Sequence, residues 1–167
     1  MKKSALAVGA MLAATFLAAC ETTGGERADS GGISVTRMHL GQQIAKGEIR
    51  VEPVDPGQAS SLDFAQVSSR IERELMRLGW RVNPANARTE QVAIARFTQM
   101  GGGDTAISEM NVRIQRRSDA TVAWEGRAQL QGRPPASPAE RVAVVDRLTD
   151  AMFRDFPGES GRTIRVR

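Results

Sequence analysis

Only two stretches of this sequence repeat their apolar residues with the period of a helix, and the other patterned segments from Ile33 onward alternate with a period of two. In the first stretch Leu62, Val67, Ile71, Leu75 and Leu78 fall on one stripe, with Phe64 beside it. Ser60 or Ser61 stands where a side-chain oxygen can cap the first free amides, and Gly79 stands where a helix commonly ends in a left-handed residue. In the second stretch the stripe is Val142, Val145, Leu148, Met152 and Phe156. Ser137-Pro138-Ala139-Glu140 opens it as a capping box with Pro at the first helical position, and Pro157-Gly158 stops it. A helix with one apolar stripe must lay that stripe on something else. The alternating segments supply the surface.

Ile33 to Leu40 reads as a strand, with Ile33 and Val35 on one face and Met38 and Leu40 on the other. Glu48 to Val54 sets Ile49 and Val51 against Arg50 and Glu52, and Pro53 and Pro56 end it. Trp80 to Val82 is a short strand or the exit from the helix, and Pro84 to Thr89 is a loop. Glu90 to Gln99 is apolar on both sides, Val92 and Ile94 opposing Ala93, Ala95 and Phe97, as a central strand would be. Gly101 to Asp104 reads as a turn or mobile loop. Met110, Val112 and Ile114 then pair across a turn at Ser118-Asp119 with Val122, Trp124, Ala128 and Leu130, an antiparallel hairpin with one apolar face. Ile164 and Val166 suit a short last strand. The expected fold class is α+β: a two-layer domain over residues 33–167, its sheet mostly antiparallel, with both amphipathic helices on one face.

The residues before Ile33 read differently. Lys2 and Lys3 precede an uncharged run, Ser4 to Ala19, whose 16 residues fall short of the roughly 20 that span a bilayer. This is the layout of a secretory signal peptide. It ends in Leu17-Ala18-Ala19-Cys20, which resembles the bacterial lipobox. That resemblance implies cleavage between Ala19 and Cys20 and acylation of Cys20, the only cysteine in the chain. From Cys20 to Gly32 the composition is glycine-rich and polar, a flexible tether. The expected place is the cell envelope, anchored by lipid and facing the periplasm. Glu21 rather than Asp after Cys20 points to the outer membrane.

Composition removes several kinds of chemistry. One cysteine excludes an internal disulfide and a cysteine zinc site, and one histidine, His39, excludes a multi-histidine metal site. No metal and no cofactor are expected. The formal charge of +4 falls to +2 once Lys2 and Lys3 leave with the signal peptide, which gives no case for nucleic acid. Arg supplies 20 of the 23 basic residues and is scattered along the chain. With aromatics at 4% and no tyrosine, the core must be largely aliphatic.

Individual residues support no reaction. Gly158-Glu159-Ser160-Gly161-Arg162 lacks the final glycine of a nucleophile elbow and follows a helix instead of a strand. Gly101 to Asp104 lacks the Lys-Ser/Thr of a phosphate loop, and Asp55, Asp63, Asp104 and Asp119 are not spaced as a calcium loop. His39 lies on a strand beside Leu40, the setting of a hydrogen-bonded structural histidine. Trp124 belongs to the core by its phase. Arg70, Arg73, Glu74 and Arg77 read as the solvated face of the first helix, with Arg70 and Glu74 paired at i,i+4. The polar side of the sheet would carry Arg50, Glu52, Arg113, Gln115, Glu125, Arg127, Gln129 and Gln131. Plain solvation explains such a surface. A contact face for another envelope protein, centred on Arg50, Arg113, Glu125 and Arg127, is the alternative.

From about Val35 onward the chain resembles the domain-of-unknown-function family numbered four-one-three-six, a group of Gram-negative lipoprotein sequences. The resemblance rests on Leu62-Asp63-Phe64, Leu78-Gly79-Trp80, the strand Val92 to Phe97, Val122-Ala123-Trp124-Glu125-Gly126-Arg127-Ala128 and Phe156-Pro157-Gly158-Glu159-Ser160-Gly161. It implies an envelope lipoprotein with an α+β fold and implies no reaction. Two functions remain open: a non-catalytic module that binds or helps assemble another envelope component, and a small periplasmic hydrolase using His39.

Overall fold

The structure, a computed structural model, describes residues 32–83, 88–103 and 105–167. The expected signal peptide, the expected cleavage position at Ala19 and Cys20, and all of the expected tether except Gly32 lie outside the described residues, as does Asp104. The elements are β1 (Ile33–Met38), β2 (Glu48–Pro53), a 3₁₀ turn (Pro56–Gln58), α1 (Leu62–Arg77), β3 (Arg81–Val82), β4 (Gln91–Gly102), β5 (Thr105–Arg116), β6 (Val122–Gly132), α2 (Pro138–Phe153) and β7 (Thr163–Val166). One sheet holds all seven strands in the order β3-β2-β4-β5-β6-β1-β7. Every pair from β4 to β7 is antiparallel, whereas β2 runs parallel to both β3 and β4. Parallel neighbours need a crossover, and α1, between β2 and β3, provides it.

Register places one side of every strand against the helices. Ala93 pairs with Ile114 and Ile114 with Trp124; Met110 pairs with Ala128, Ala128 with Val35, and Val35 with Ile164. Onto this face α1 lays Val67, Ile71 and Leu75, and α2 lays Val145, Leu148, Ala151, Met152 and Phe153. Both caps form as the sequence implies. Ser61 Oγ accepts from Phe64 N–H at 3.1 Å, and Ser137 Oγ accepts from Glu140 N–H at 3.2 Å. Glu140 reaches back one residue past the cap and accepts from Ala136 N–H at 2.7 Å, in place of the Ser137 N–H of a strict box.

Several boundaries differ from the sequence reading. β1 ends at Met38, so His39 and Leu40 lie beyond the strand and Leu40 is exposed. The turn expected at Gly101 to Asp104 is tighter than the sequence reading: β4 runs to Gly102 and β5 starts at Thr105, and Gly101 and Gly103 have φ of 96° and 67°. α2 stops at Phe153, so Phe156 is not on its stripe, and Val142, at the helix's outer side, is exposed. Arg70 does not pair with Glu74. It reaches Asp146 of α2 at 2.8 Å, while Glu74 takes Arg77 at 2.7 Å, and Arg141 meets Asp63 at 3.2 Å. Two ion pairs therefore join the helices.

Trp124 and Gly126 are two residues apart on β6 and share the core face. The Trp124 ring lies back over Gly126: a Cβ there would sit 2.2 Å from Trp124 Cη2 and 2.8 Å from Met152 Cγ. The ring stacks on Phe153 at 5.3 Å and meets Phe156 at 5.1 Å, and its Nε1 donates to Pro157 O at 3.1 Å. Trp124→Ala should cost about 3–5 kcal/mol as a buried aromatic deletion. Gly126→Ala should cost about 1–3 kcal/mol by overpacking. Glu125→Ala, between them on the opposite face, should stay within about 0.5 kcal/mol. Denaturant melts of the three variants check this order.

Candidate interaction face

Among the described residues, the other side of the sheet carries no helix. Its rows read across the strands: Arg50, Val92 and Gln115 in one; Glu52, Ile94, Arg113, Glu125 and Met38 in the next; then Arg96, Asn111, Arg127, Thr36 and Thr163; then Thr98, Glu109, Gln129, Ser34 and Arg165. All four residues expected on a contact face, Arg50, Arg113, Glu125 and Arg127, stand on it. Arg113 and Glu125 face each other directly and, with Ile94, Arg96 and Asn111, line a hollow of about 330 Å³. Arg50 lies one row away. It contacts Glu52, which also accepts from Arg117 at 2.8 Å.

The face is organised around Glu109, which is only 8% exposed although no helix among the described residues covers it. Arg127 donates to its Oε2 at 2.6 Å, Gln129 to the same oxygen at 2.5 Å, and Asn111 to Oε1 at 2.6 Å. Burial pushes the Glu109 carboxyl up, and those three hydrogen bonds more than reverse it, so it lies below the usual carboxylate range. Glu52 behaves alike: burial raises it, and Arg117 and Arg50 bring it below its ordinary value. Arg96 and Arg113 are exposed and have no hydrogen-bond or ion-pair partner among the described residues. The face thus joins two locked carboxylates to two uncommitted guanidinium groups.

The His39 region is built differently from a catalytic dyad. His39 Nδ1 accepts from Gly41 N–H at 3.1 Å, which leaves the proton on Nε2 to be donated to Gly158 O at 2.9 Å. Ser160 stands beside it but bonds its backbone instead of its ring. Ser160 Oγ accepts from His39 N–H at 2.9 Å and donates to His39 O at 2.8 Å. Nε2 and the hydroxyl tie the end of β1 to the segment after α2, and Nδ1 is spent locally on Gly41. Arg37, two residues earlier on β1, ties the strand to the end of α2 from inside the core. It is 2% exposed and donates to the carbonyls of Met152 at 2.9 Å, Ala151 at 2.9 Å and Arg154 at 2.8 Å. Burial draws its pKa below the usual guanidinium value.

Sequence reasoning missed Glu109, Arg96 and Arg37. The alternation Ile33-Val35 already places Arg37 on the core face, and carrying the period of Met110-Val112-Ile114 backward places Glu109 on the polar one. The alternation Val92-Ile94 likewise carries Arg96 onto their face of the strand. Among the described residues no group of three His, Cys, Asp or Glu side chains is arranged to hold a metal ion. Among the same residues no helix is long and apolar enough to cross a membrane.

No family model matches the chain. An uncharacterized protein of Zymomonas mobilis is 23% identical to it, over 81% of this chain and 80% of that one. Among solved structures, a PDZ domain protein from Parabacteroides distasonis superposes with a TM-score of 0.55 at 12% identity, over 80% of this chain and 38% of that one, a likeness of fold. PelC of Paraburkholderia phytofirmans, solved as a dodecamer, gives a TM-score of 0.48 at 15% identity, over 72% of this chain and 94% of that one. Lipoprotein GNA1162 of Neisseria meningitidis gives 0.37 at 13% identity, over 64% of this chain and 99% of that one.

A carboxyl whose folded pKa is depressed stabilises the fold above its unfolded value, about 4.3 for Glu, and loses that contribution as pH falls through the folded value. Glu109→Gln should therefore flatten the loss of stability below about pH 4 relative to the parent chain. At neutral pH the same variant should be less stable than the parent, because Arg127 then lacks its carboxylate. Chemical melts of both chains across the acid range measure it.

Proposed function

We propose that the chain is a lipid-anchored envelope protein that acts as a non-catalytic binding or assembly module facing the periplasm. One observation carries the reading: Leu17-Ala18-Ala19-Cys20 closes the uncharged run after Lys2 and Lys3 at the only cysteine in the chain. A diacylglyceryl thioether on Cys20 with an acylated amine buries at least two chains. At about 0.8 kcal/mol per buried methylene these hold far more firmly than one myristoyl group. The tether after Cys20 lets a domain that begins at Ile33 stand off the bilayer. Glu21 at the position after the lipid favours the outer membrane over the inner.

The binding role draws its support from the helix-free face, where Arg96, Arg113 and Glu125 are charged, exposed and free of ion pairs among the described residues. The hydrolase reading loses ground because His39 offers no ring nitrogen to a substrate and Ser160 offers no hydroxyl to His39's ring. Intact mass of the chain extracted from membranes should start at Cys20 and carry acyl groups. High salt should not wash it off. Cys20→Ser should lose both the added mass and the membrane retention. A Cys20→Ser product with unchanged mass increment and retention would refute the anchor.

A further inference from the structure

β4 is twelve residues long, yet its neighbour β2 covers less than half of it. The pairing runs from Ile49 with Gln91 to Pro53 with Ala95, and a last bond joins Val54 N–H to Ala95 O at 3.2 Å. The chain then leaves the sheet for the 3₁₀ turn and α1. A strand residue points its N–H and C=O to the same side, and sides alternate along the strand. Phe97 and Gln99 therefore aim their amides and carbonyls where Ala95 does, into the space β2 has vacated. No hydrogen bond among the described residues meets them there. Such an uncovered row of donors and acceptors is a template for another strand.

The space beside this edge is shaped. It is a cleft of about 540 Å³, within the range of about 300–1,000 Å³ that ligand pockets occupy. Phe97, Phe64 and Val67 are among its apolar lining residues, and Ser61, Asp63 and Arg141 among its polar ones. The Arg141 guanidinium sits 5.4 Å from the centre of the Phe97 ring and pairs with Asp63. Asp55 is engaged by Gly57 N–H at 3.0 Å. Arg96 also lines the cleft and has no partner among the described residues, so the uncommitted charge at this edge is positive.

We propose that the free edge of β4 takes up an extended segment of a partner protein by strand addition, and that this segment alternates acidic and apolar residues. An apolar side chain opposite Phe97 falls on the helix face, between Phe97, Phe64 and Val67. Its neighbours fall on the helix-free face, where an acidic group meets Arg96. Backbone hydrogen bonds would give affinity and these two positions selectivity. The inference deepens the binding-module reading but does not need the lipid: the anchor test can fail while this one succeeds, and the reverse.

The probe is the peptide Thr-Glu-Val-Glu-Val-Glu-Thr, with the same peptide carrying Lys for Glu as its counterpart, added to the whole chain in detergent. Amide exchange at Phe97 and Gln99 should slow by about tenfold or more at saturation, because those amides gain partners. Gln99→Pro removes an outward N–H without touching the β4–β5 ladder and should abolish the protection. Arg96→Glu, which leaves the backbone intact, should weaken the Glu peptide by about tenfold and turn the preference toward the Lys peptide. Unchanged exchange at Phe97 and Gln99 with millimolar peptide would overturn the proposal. So would protection appearing at β7 instead, or equal binding of both peptides.

Discussion

Trp124 can lie flat in the core only because residue 126 has no side chain. On a strand, residues two apart stand side by side on one face, and a Cβ at 126 would occupy the space of the indole. With that space open, the ring reaches past its own strand to Phe153 at the end of α2 and to Phe156 and Pro157 beyond it. Trp80, leaving α1, completes the cluster edge-on to Phe156 at 5.4 Å and donates its Nε1 to Gln91 at 2.7 Å. Four of the chain's seven aromatic residues are spent at this one place. Arg37 secures the same end of α2 by satisfying carbonyls that a helix terminus leaves without partners. α2 has no basic residue of its own in its last turn, so the capping cation comes from β1. Sheet, second helix and C-terminal segment are thereby fixed to one another.

That concentration on one face decides the character of the other. Both helices and the aromatic cluster lie on the same side, so the opposite side, with apolar residues such as Val92 and Ile94 in its rows, relies largely on polar side chains. It manages this with short-range networks: Glu109 with Arg127, Gln129 and Asn111, and Glu52 with Arg50 and Arg117. Surface ion pairs contribute little in isolation, about 0–1 kcal/mol. Glu109 differs because three donors converge on a carboxylate that is nearly covered. What is left over, Arg96, Arg113 and Glu125, is what a partner would meet.

The layers were legible in the sequence because their signal is local. The stripes Val67-Ile71-Leu75 and Val145-Leu148-Met152 and the alternation through Trp124 each report which side of an element is apolar. The four polar positions expected on the contact face stand together for the same reason: parity along a strand survives whatever the strand order. The order itself was not legible. No local pattern says that β1 would insert between β6 and β7, or that β2 would lie parallel to β4. The consequences of that order were hidden with it. Phe156 read as helical because its spacing from Met152 fits a stripe, whereas its partners, Trp80 and Trp124, come from distant parts of the chain. Arg70 found Asp146 in place of Glu74 because the helices pack side by side. The pairing of Ser160 with His39's backbone, and the free stretch of β4 past Ala95, also depend on long-range pairing.

The central claim is that the helix-free face and its β4 edge, and not the His39–Ser160 region, carry the protein's function. Site-specific crosslinking in intact envelopes addresses it most directly. The double variant Arg96→Glu with Arg113→Glu is compared with Ser160→Ala, both at parent abundance and membrane retention. The account predicts that the crosslinked species of the parent disappear in the double variant and persist in Ser160→Ala. Loss of those species in Ser160→Ala, with the double variant crosslinking like the parent, would contradict it.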